Sequence, residues 1–470
     1  MHHNVLNLPA YKVLGSTESE YDYHIKAETA APLTVCSNCR SREVVGYGRV
    51  EVLVHDLPMH GKRVGVYVDA RRFKCKSCGK TFMEHLPEVN ANRWMTERLV
   101  KWVGQRSMTN TFTGIAEEIG VTEGTIRNVF SDYVNKLERT VRFETPKWMG
   151  IDEIHIIQKP RAVISNLHNN TAVNLLPNRN KKTIATYLSN LKDRDSVQYV
   201  AMDMWRPYRE AVSEVIPDAK IVVDKFHVVR MANVSMESVR KSLRADLSPK
   251  QRRGLMHDRF VLLRRQSQLT DQESFNLDGW TKHYPLLGEA YRLKEEFFNI
   301  YLASSKQQAQ IRYEQWLKSI PAELRGHYEP IVAAWSNWQP FILEYFNHPI
   351  TNAYTESLNS LIRVLNRLGR GYSFEALRAK ILFSRGSHKI VQNRPKFERN
   401  GSDPAIDFAR MELITTRTHS YGVPEQANEI NYGVDIDKLV AMIERGEILP
   451  YTKSKLNREP SKNRKSTELE

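Results

Sequence analysis

Trp148-Met149-Gly150-Ile151-Asp152-Glu153-Ile154-His155-Ile156-Ile157-Gln158 is an apolar, β-branched run broken by two carboxylates. At this point helical periodicity gives way to strand periodicity. Ala162–Leu167 and Ala172–Leu176 continue as two more strands, so Trp148–Gln158 opens a run of three. Lys182–Leu191 then reads as a helix, Val197–Met202 as a strand and Tyr208–Val215 as a helix. Ala219–Val223 reads as a short buried strand, and helix resumes near Phe226. The order β-β-β-α-β-α-β-α predicts a mixed sheet flanked by helices.

That order is the one expected of a ribonuclease-H-like core. Residues 247–345 read as almost wholly helical and rich in aromatics such as Trp280, Tyr291, Phe297, Trp316 and Trp335, and they form an expected all-helical insertion. Helix returns at Ala353–Leu365 and Phe374–Phe383. Upstream, residues 93–140 read as three helices: Arg93–Ser107, Phe112–Ile119 and Glu123–Val134, the last capped by Thr122. Residues 45–57 and 62–74 alternate apolar and polar positions and read as strands, with a hairpin turn at Met59-His60-Gly61-Lys62.

The fold class expected is multidomain α+β. An N-terminal lead-in (1–30) precedes a zinc-ribbon-like β module (31–90) and a helix-turn-helix domain (91–145). The ribonuclease-H-like core follows in two parts (146–246 and 346–395), interrupted by the helical insertion (247–345). A C-terminal extension with a basic, disordered tail (396–470) completes the chain.

At 470 residues the chain is long enough for several domains with sizeable cores. Lys and Arg number 69 against 54 Asp and Glu, a formal charge of +15. Such a surplus favours polyanion partners through phosphate neutralisation and counterion release, although a merely basic soluble protein shares it. The N-terminus lacks the basic and apolar regions of a signal peptide, and no apolar run approaches the ~20 residues of a membrane span. The expected location is the bacterial cytoplasm, in association with the nucleoid.

All four cysteines fall in two pairs, Cys36-x-x-Cys39 and Cys75-x-x-Cys78. Two such knuckles complete a tetrahedral all-sulfur site that suits structural Zn²⁺, and no cysteine is left over for a disulfide framework. Four unrelated buried thiols are the bland alternative.

In the helix-turn-helix, Ile115, Ala116 and Ile119 form one apolar face, and Ile126 and Val129 pack the second helix. Glu123, Thr125, Arg127 and Asn128 are then left to meet a major groove. A plain αα-hairpin would show the same pattern.

Asp152 lies within the first core strand, Asp203 ends the fourth, and Glu356 opens a helix. Brought together, three such carboxylates can hold two Mg²⁺ (or Mn²⁺) ions at a phosphodiester. Asn359 and Arg363 share the helical face of Glu356 at i+3 and i+7. Asp224 and His227 follow the next buried strand, either supporting the metal site or serving as a helix cap and a satisfied histidine. Trp205 and Arg206 either flank the nucleic acid or, for Trp205, simply pack.

Taken together, these motifs resemble the ISL-three family of bacterial insertion-sequence transposases, which use a DDE catalytic triad. The resemblance rests on the double C-x2-C module and the helix-turn-helix, then on Gly150-Ile151-Asp152-Glu153, Met202-Asp203-Met204 and Val223-Asp224-Lys225-Phe226-His227. It continues through Asn352 to Asn359 and Gly369-Arg370-Gly371-Tyr372. It implies that Asp152, Asp203 and Glu356 are catalytic and hold magnesium, with Asp224, His227 and Asn359 accessory. Where the family commonly shows Ser-Asn-Gly and Glu-Gly-Asn, this chain has Thr351-Asn352-Ala353 and Glu356-Ser357-Leu358-Asn359.

The function implied is an insertion-sequence transposase. It would bind terminal inverted repeats in double-stranded DNA, cleave the element ends by two-metal-ion hydrolysis and join the 3′-hydroxyl ends to a target. A homodimer or larger assembly on DNA is expected, because two ends are handled together. The alternatives are a non-catalytic zinc/helix-turn-helix regulator and a ribonuclease-H-like nuclease that cuts without joining.

Overall fold

The computed structural model describes residues 6–31, 35–141, 143–245 and 247–386; the basic tail expected after residue 396 lies outside them. The first expectation to change is the lead-in. Tyr11–Glu18 (β1) and Asp22–Thr29 (β2) form an antiparallel pair. Val44–Met59 (β3) and Lys62–Cys75 (β4) form a long hairpin, and β2 adds to β4 in parallel. β2 buries Ile25, Ala27 and Thr29 on one face, whereas β1 buries only Tyr11 and so carries no alternation to read. The hairpin turn falls at His60 and Gly61, at φ 52 and 77, the two-residue geometry that matches strand twist. Thr81–Met83 (β5), Val89–Asn90 (β6) and Met95–Thr96 (β7) complete this sheet.

Three helices follow. Glu97–Arg106 (α1) starts later than the pattern predicts, because Met95 and Thr96 pair with β6 and the Thr96 hydroxyl caps the helix. Phe112–Ile119 (α2) ends at Gly120, and Glu123–Thr140 (α3) is capped by Thr122 and runs past Val134.

The second sheet contains Trp148–Ile156 (β8), Lys159–Asn166 (β9) and Thr171–Leu176 (β10). Lys181–Ser189 (α4), Tyr199–Met202 (β11), Arg206–Val215 (α5) and Lys220–Val223 (β12) follow. Its order is β10-β9-β8-β11-β12, with β8, β9 and β10 antiparallel and β8, β11 and β12 parallel. The strand expected through Gln158 stops at Ile156, since Ile157 and Gln158 form the hairpin turn at φ 49 and 58.

Seven helices come next: Lys225–Ser242 (α6), Pro249–His257 (α7), Arg259–Leu263 (α8), Asp271–His283 (α9), Pro285–Ile300 (α10), Lys306–Lys318 (α11) and Arg325–Leu343 (α12). They share a core in which Phe297, Tyr313, Trp316 and Trp335 pack, with the Tyr313 and Trp335 rings stacked at 4.1 Å. Ala353–Gly369 (α13) and Phe374–Arg385 (α14) then return to the second sheet.

Alternation along β8 decides what each face meets. Met149 and Ile151 pack with Ile184, Leu188, Tyr208 and Val212 of α4 and α5. Ile154 and Ile156 pack on the other face with Leu358, Ile362 and Leu382 of α13 and α14. That second cluster also takes in Phe112, Ile115, Ile126 and Phe130, so the helix-turn-helix and the sheet share one apolar core. Phe112 lies at its centre, 5.1 Å from the Phe130 ring and 5.0 Å from the Tyr372 ring. The Lys380 ammonium sits among these three rings and donates to the carbonyls of Ser107 and Asn110. Burial pushes it down to about 7.

Phe112→Ala should therefore cost about 3–5 kcal/mol. The expected result is a lower denaturation midpoint with the helix-turn-helix and sheet still lost in one transition. An unchanged midpoint would contradict a shared core.

Candidate functional site

The N-terminal thiols form one cluster. Cys36 Sγ lies 3.8 Å from Cys78 Sγ, and Cys39 Sγ lies 3.6 Å from Cys75 Sγ. All four sulfurs lie within 4.8 Å of one another. A tetrahedron with metal–sulfur bonds of ~2.3 Å has edges of ~3.8 Å, so the donor set fits zinc. The two pairs are built alike. Arg40 and Gly79, the residues after each second cysteine, both take left-handed φ values (60 and 71). Their amides donate back to the carbonyls of Cys36 and Cys75 at 3.0 Å. Gly79 adopts this conformation without steric penalty. The Cys78 amide donates to the Cys75 sulfur and draws that thiol down to about 6.

Strand register builds the second site. Ile151 pairs with Met202, and Met202 pairs with Val223. The next residues, Asp152, Asp203 and Asp224, therefore stand at one level on three neighbouring parallel strands, ~4.8 Å from strand to strand. Asp152 and Asp224 are buried, while Asp203 is half-buried. Asp224 caps α6, its Oδ1 accepting from the Phe226 amide at 3.4 Å. This cap places His227 in the first turn of α6. There His227 Nδ1 lies 3.2 Å from Asp203 Oδ1, and Nε2 lies 3.8 Å from Glu356 Oε1. Ligand atoms of Asp224, His227 and Glu356 lie within 4.8 Å of one another.

Glu356 is exposed in the first turn of α13, and the docking of that turn fixes its position. Asn352 Nδ2 donates to the Ile151 carbonyl at 3.2 Å, and the Thr355 hydroxyl donates to Asn352 Oδ1. Thr355 and Ser165 share a hydroxyl hydrogen bond of 2.6 Å. Gly150 makes room for this network, since a Cβ there would collide with Ser165, Asn352 and Thr355. One turn further on, Asn359 Nδ2 donates to Asp152 Oδ2 at 2.8 Å and to the Glu153 carbonyl at 3.3 Å.

The electrostatics call for a cation. Burial, reinforced by Asp203, Glu356 and Asp224, pushes the Asp152 carboxyl up to about 7 against the opposing effect of His227. Burial also raises Asp224. Asp224 Oδ2 and His227 Nε2 are buried without hydrogen-bond partners among the described residues, a costly arrangement for polar atoms. Carboxylate oxygens with one imidazole are the donor set of a hard divalent ion.

The other expected residues lie apart from this cluster. Arg206 is exposed and bonds Glu210 at 2.8 Å; Trp205 packs 4.1 Å from the guanidinium of Arg179, which pairs with Glu153. Arg363 is exposed on α13. On α3, Asn128 is exposed and Thr125 meets the Thr122 hydroxyl at 3.0 Å. Arg127 is held by Glu123 at 2.5 Å and stacks 5.2 Å from the Phe112 ring, so its guanidinium is already engaged. The Glu123–Arg127 spacing of i, i+4 signals that pair in the sequence. Ser165 and Arg179 were missed, and nothing local marks them: each acts on residues far away in the chain.

Residues 149–381 match a family model described as a transposase. Residues 32–78 match a zinc-finger of transposase IS204/IS1001/IS1096/IS1165, and residues 84–134 match the helix-turn-helix domain of transposase family ISL3. The transposase for insertion sequence element IS1001 of Bordetella parapertussis is 22% identical over 357 residues, covering 74% of this chain and 87% of that protein. The transposase for insertion sequence element IS1557 of Mycobacterium tuberculosis is 23% identical over 401 residues, covering 77% and 87%. No helix among the described residues is long and apolar enough to cross a membrane.

Two outcomes follow from the geometry. Cys75→Ser should abolish zinc retention, read by elemental analysis, and lower the melting midpoint; zinc bound at the wild-type level would refute a four-thiolate site. Asp152 gives a pH signature. Its folded value lies above the ordinary carboxylate value, so the fold binds the proton more tightly than the unfolded chain does. Its favourable contribution is present in acid and is lost as pH rises from about 4 towards about 7. In chelator, Asp152→Asn should therefore melt above wild type at pH 8, with the gap closing towards pH 4. A gap that does not change with pH would refute the burial argument.

Proposed function

The chain belongs to the ISL3 family of insertion-sequence transposases, and from that premise we propose that it cleaves the ends of its own element and joins the 3′-hydroxyl ends to target DNA. The observation that carries this reading is the placing of His227 between Asp203 and Glu356, with Asp152 level with Asp203 on the neighbouring parallel strand. The order β10-β9-β8-β11-β12, with three antiparallel strands and two parallel additions, supports a ribonuclease-H-like core. The helical body that follows β12 is then an insertion ahead of α13.

Asp152, Asp203 and Glu356 are the residues that would hold magnesium or manganese. Two such ions, when bound, supply activation of the attacking oxygen and stabilisation of the leaving one. The protein's own part is positioning. Asn359 orients the Asp152 carboxylate, and the Asp224 cap orients His227 between Asp203 and Glu356. Arg206 and Arg363, both exposed, would meet the phosphate backbone beside the cut. The zinc module and the exposed start of α3, with Thr125 and Asn128, would read the terminal repeats. The shared core through Phe112 supports a fixed geometry between that reading head and the site. Handling two ends together calls for at least a dimer on DNA.

Asp152→Asn, Asp203→Asn and Glu356→Gln should each lower end cleavage on the order of 10³-fold or more, while repeat binding in a gel-shift assay persists. Cleavage at the wild-type rate in the Asp152 and Asp203 variants would remove this triad as the catalytic centre. A pre-cleaved end tests the second step, because cleavage without any joined product would identify a nuclease instead.

A further inference from the structure

We propose that the exposed face of α6, and the basic recess at its far end, hold the backbone of a DNA duplex roughly six base pairs from the cut. This rests on the transposase reading of the site at the start of α6.

The recess has a volume of ≈ 490 Å³ and is lined in part by Arg240, Lys241, Arg244, Arg252, Arg253 and Met256. None of the described residues lining it is acidic. Two of the cations are engaged: Arg240 pairs with Glu237 at 3.0 Å, and Arg252 donates to the Leu247 carbonyl at 3.0 Å. Lys241, Arg244 and Arg253 are exposed and make no ion pair or hydrogen bond among the described residues. Unpaired like charges gathered in one concavity repel one another, and an anion set between them relieves that repulsion. Arg and Lys beside an apolar wall suit a phosphodiester.

The helix supplies the link to the catalytic cluster. His227 lies in the first turn of α6 and Lys241 in its last. Fourteen residues at ~1.5 Å each separate them by ~21 Å, and at 3.6 residues per turn their side chains leave the helix within ~40° of each other. Phe226, Arg230 and Val234 are exposed along the same side, Val234 at 60%. Glu237, the one acid within α6, is neutralised by Arg240 and by Arg259 at 3.3 Å, and at longer range it also feels Lys241. Duplex DNA rises ~3.4 Å per base pair along each strand, so ~21 Å is about six pairs. Over about six pairs a strand turns more than half-way round the duplex, at about 10–10.5 pairs per turn, so with the scissile phosphate at His227 and its carboxylates the recess meets a phosphate of the complementary strand across the groove. Repeat recognition by the zinc module and α3 requires nothing of this surface.

The test uses full-length protein with Lys241, Arg244 and Arg253 all changed to Ala. A second variant keeps the charges: Lys241→Arg, Arg244→Lys and Arg253→Lys. Binding is read by fluorescence anisotropy over a series of salt concentrations, on duplexes reaching ~4 or ~16 base pairs past the cut on either side. On the longer duplex, the alanine variant should bind about tenfold or more weakly. Its slope of log affinity against log salt should be shallower by ~2–3, because each neutralised phosphate contributes ~0.9. On the short duplex all three proteins should bind alike, and the charge-keeping variant should match wild type throughout. Wild-type slope and affinity for the alanine variant on the longer duplex would overturn the proposal, as would an equal deficit on both lengths. End cleavage of the longer duplex, built on the element's own terminal repeat, is followed in parallel. If no protein cuts, the reading of the site falls, while a length-dependent slope deficit still establishes the recess as a DNA contact.

Discussion

The close approach of α13 to β8 is the contact on which the site depends. It is possible because position 150 carries no Cβ, so Asn352 and Thr355 reach the strand backbone and Ser165. All three of those polar side chains are buried. Buried polar groups without partners are costly, so the network has one satisfied arrangement rather than a continuum. Turning α13 by a single residue would rotate it ~100° and strand Asn352, Thr355 and Asn359 together. Leu358 and Ile362 add the apolar half of the same lock. The exposed Glu356 thereby acquires a fixed position from neighbours that are not themselves charged.

The sheet end is stabilised poorly by design of its register. Placing Asp152, Asp203 and Asp224 at one level concentrates negative charge where two of the three carboxylates are also desolvated. Packing elsewhere must offset this, and it does so on both sheet faces and in the aromatic helical core. Concentrated, desolvated charge of this kind is a local loss of stability that the rest of the fold carries. His227 and Asn359 moderate the strain by touching the carboxylates directly, His227 between Asp203 and Glu356 and Asn359 on Asp152.

Much of this was legible in the sequence because the signals were local. The C-x2-C pairs, the Thr122 cap and the His60-Gly61 turn each need only a few adjacent residues. The apolar runs before Asp203 and Asp224 also marked the ends of β11 and β12. What escaped had no local signature. β1 is an edge strand with one buried residue, so period-two alternation is absent. Ile157 and Gln158 turn the chain with left-handed φ although neither is a usual turn former. Gly150 could be read as part of a motif, but its reason lies in residues some two hundred positions away. Lys380 sits on the buried side of a helix, against the ordinary rule for lysine, because aromatic faces and two carbonyls receive it.

The same long-range logic explains why the helix-turn-helix is not a tethered module. Phe112 and Phe130 share a cluster with Leu377, Leu382 and Phe383 of α14. The Lys380 ammonium adds direction to that apolar contact by donating to carbonyls in the loop between α1 and α2. An apolar interface alone tolerates sliding, whereas a buried donor with two fixed acceptors does not. α14 in turn follows α13, which is pinned at Gly150. A rotation of the helix-turn-helix relative to the sheet would thus have to break either the ammonium contacts or the α13 network. Both lie on the face of β8 that carries Asp152, which ties the orientation of the DNA-reading helices to that of the carboxylates.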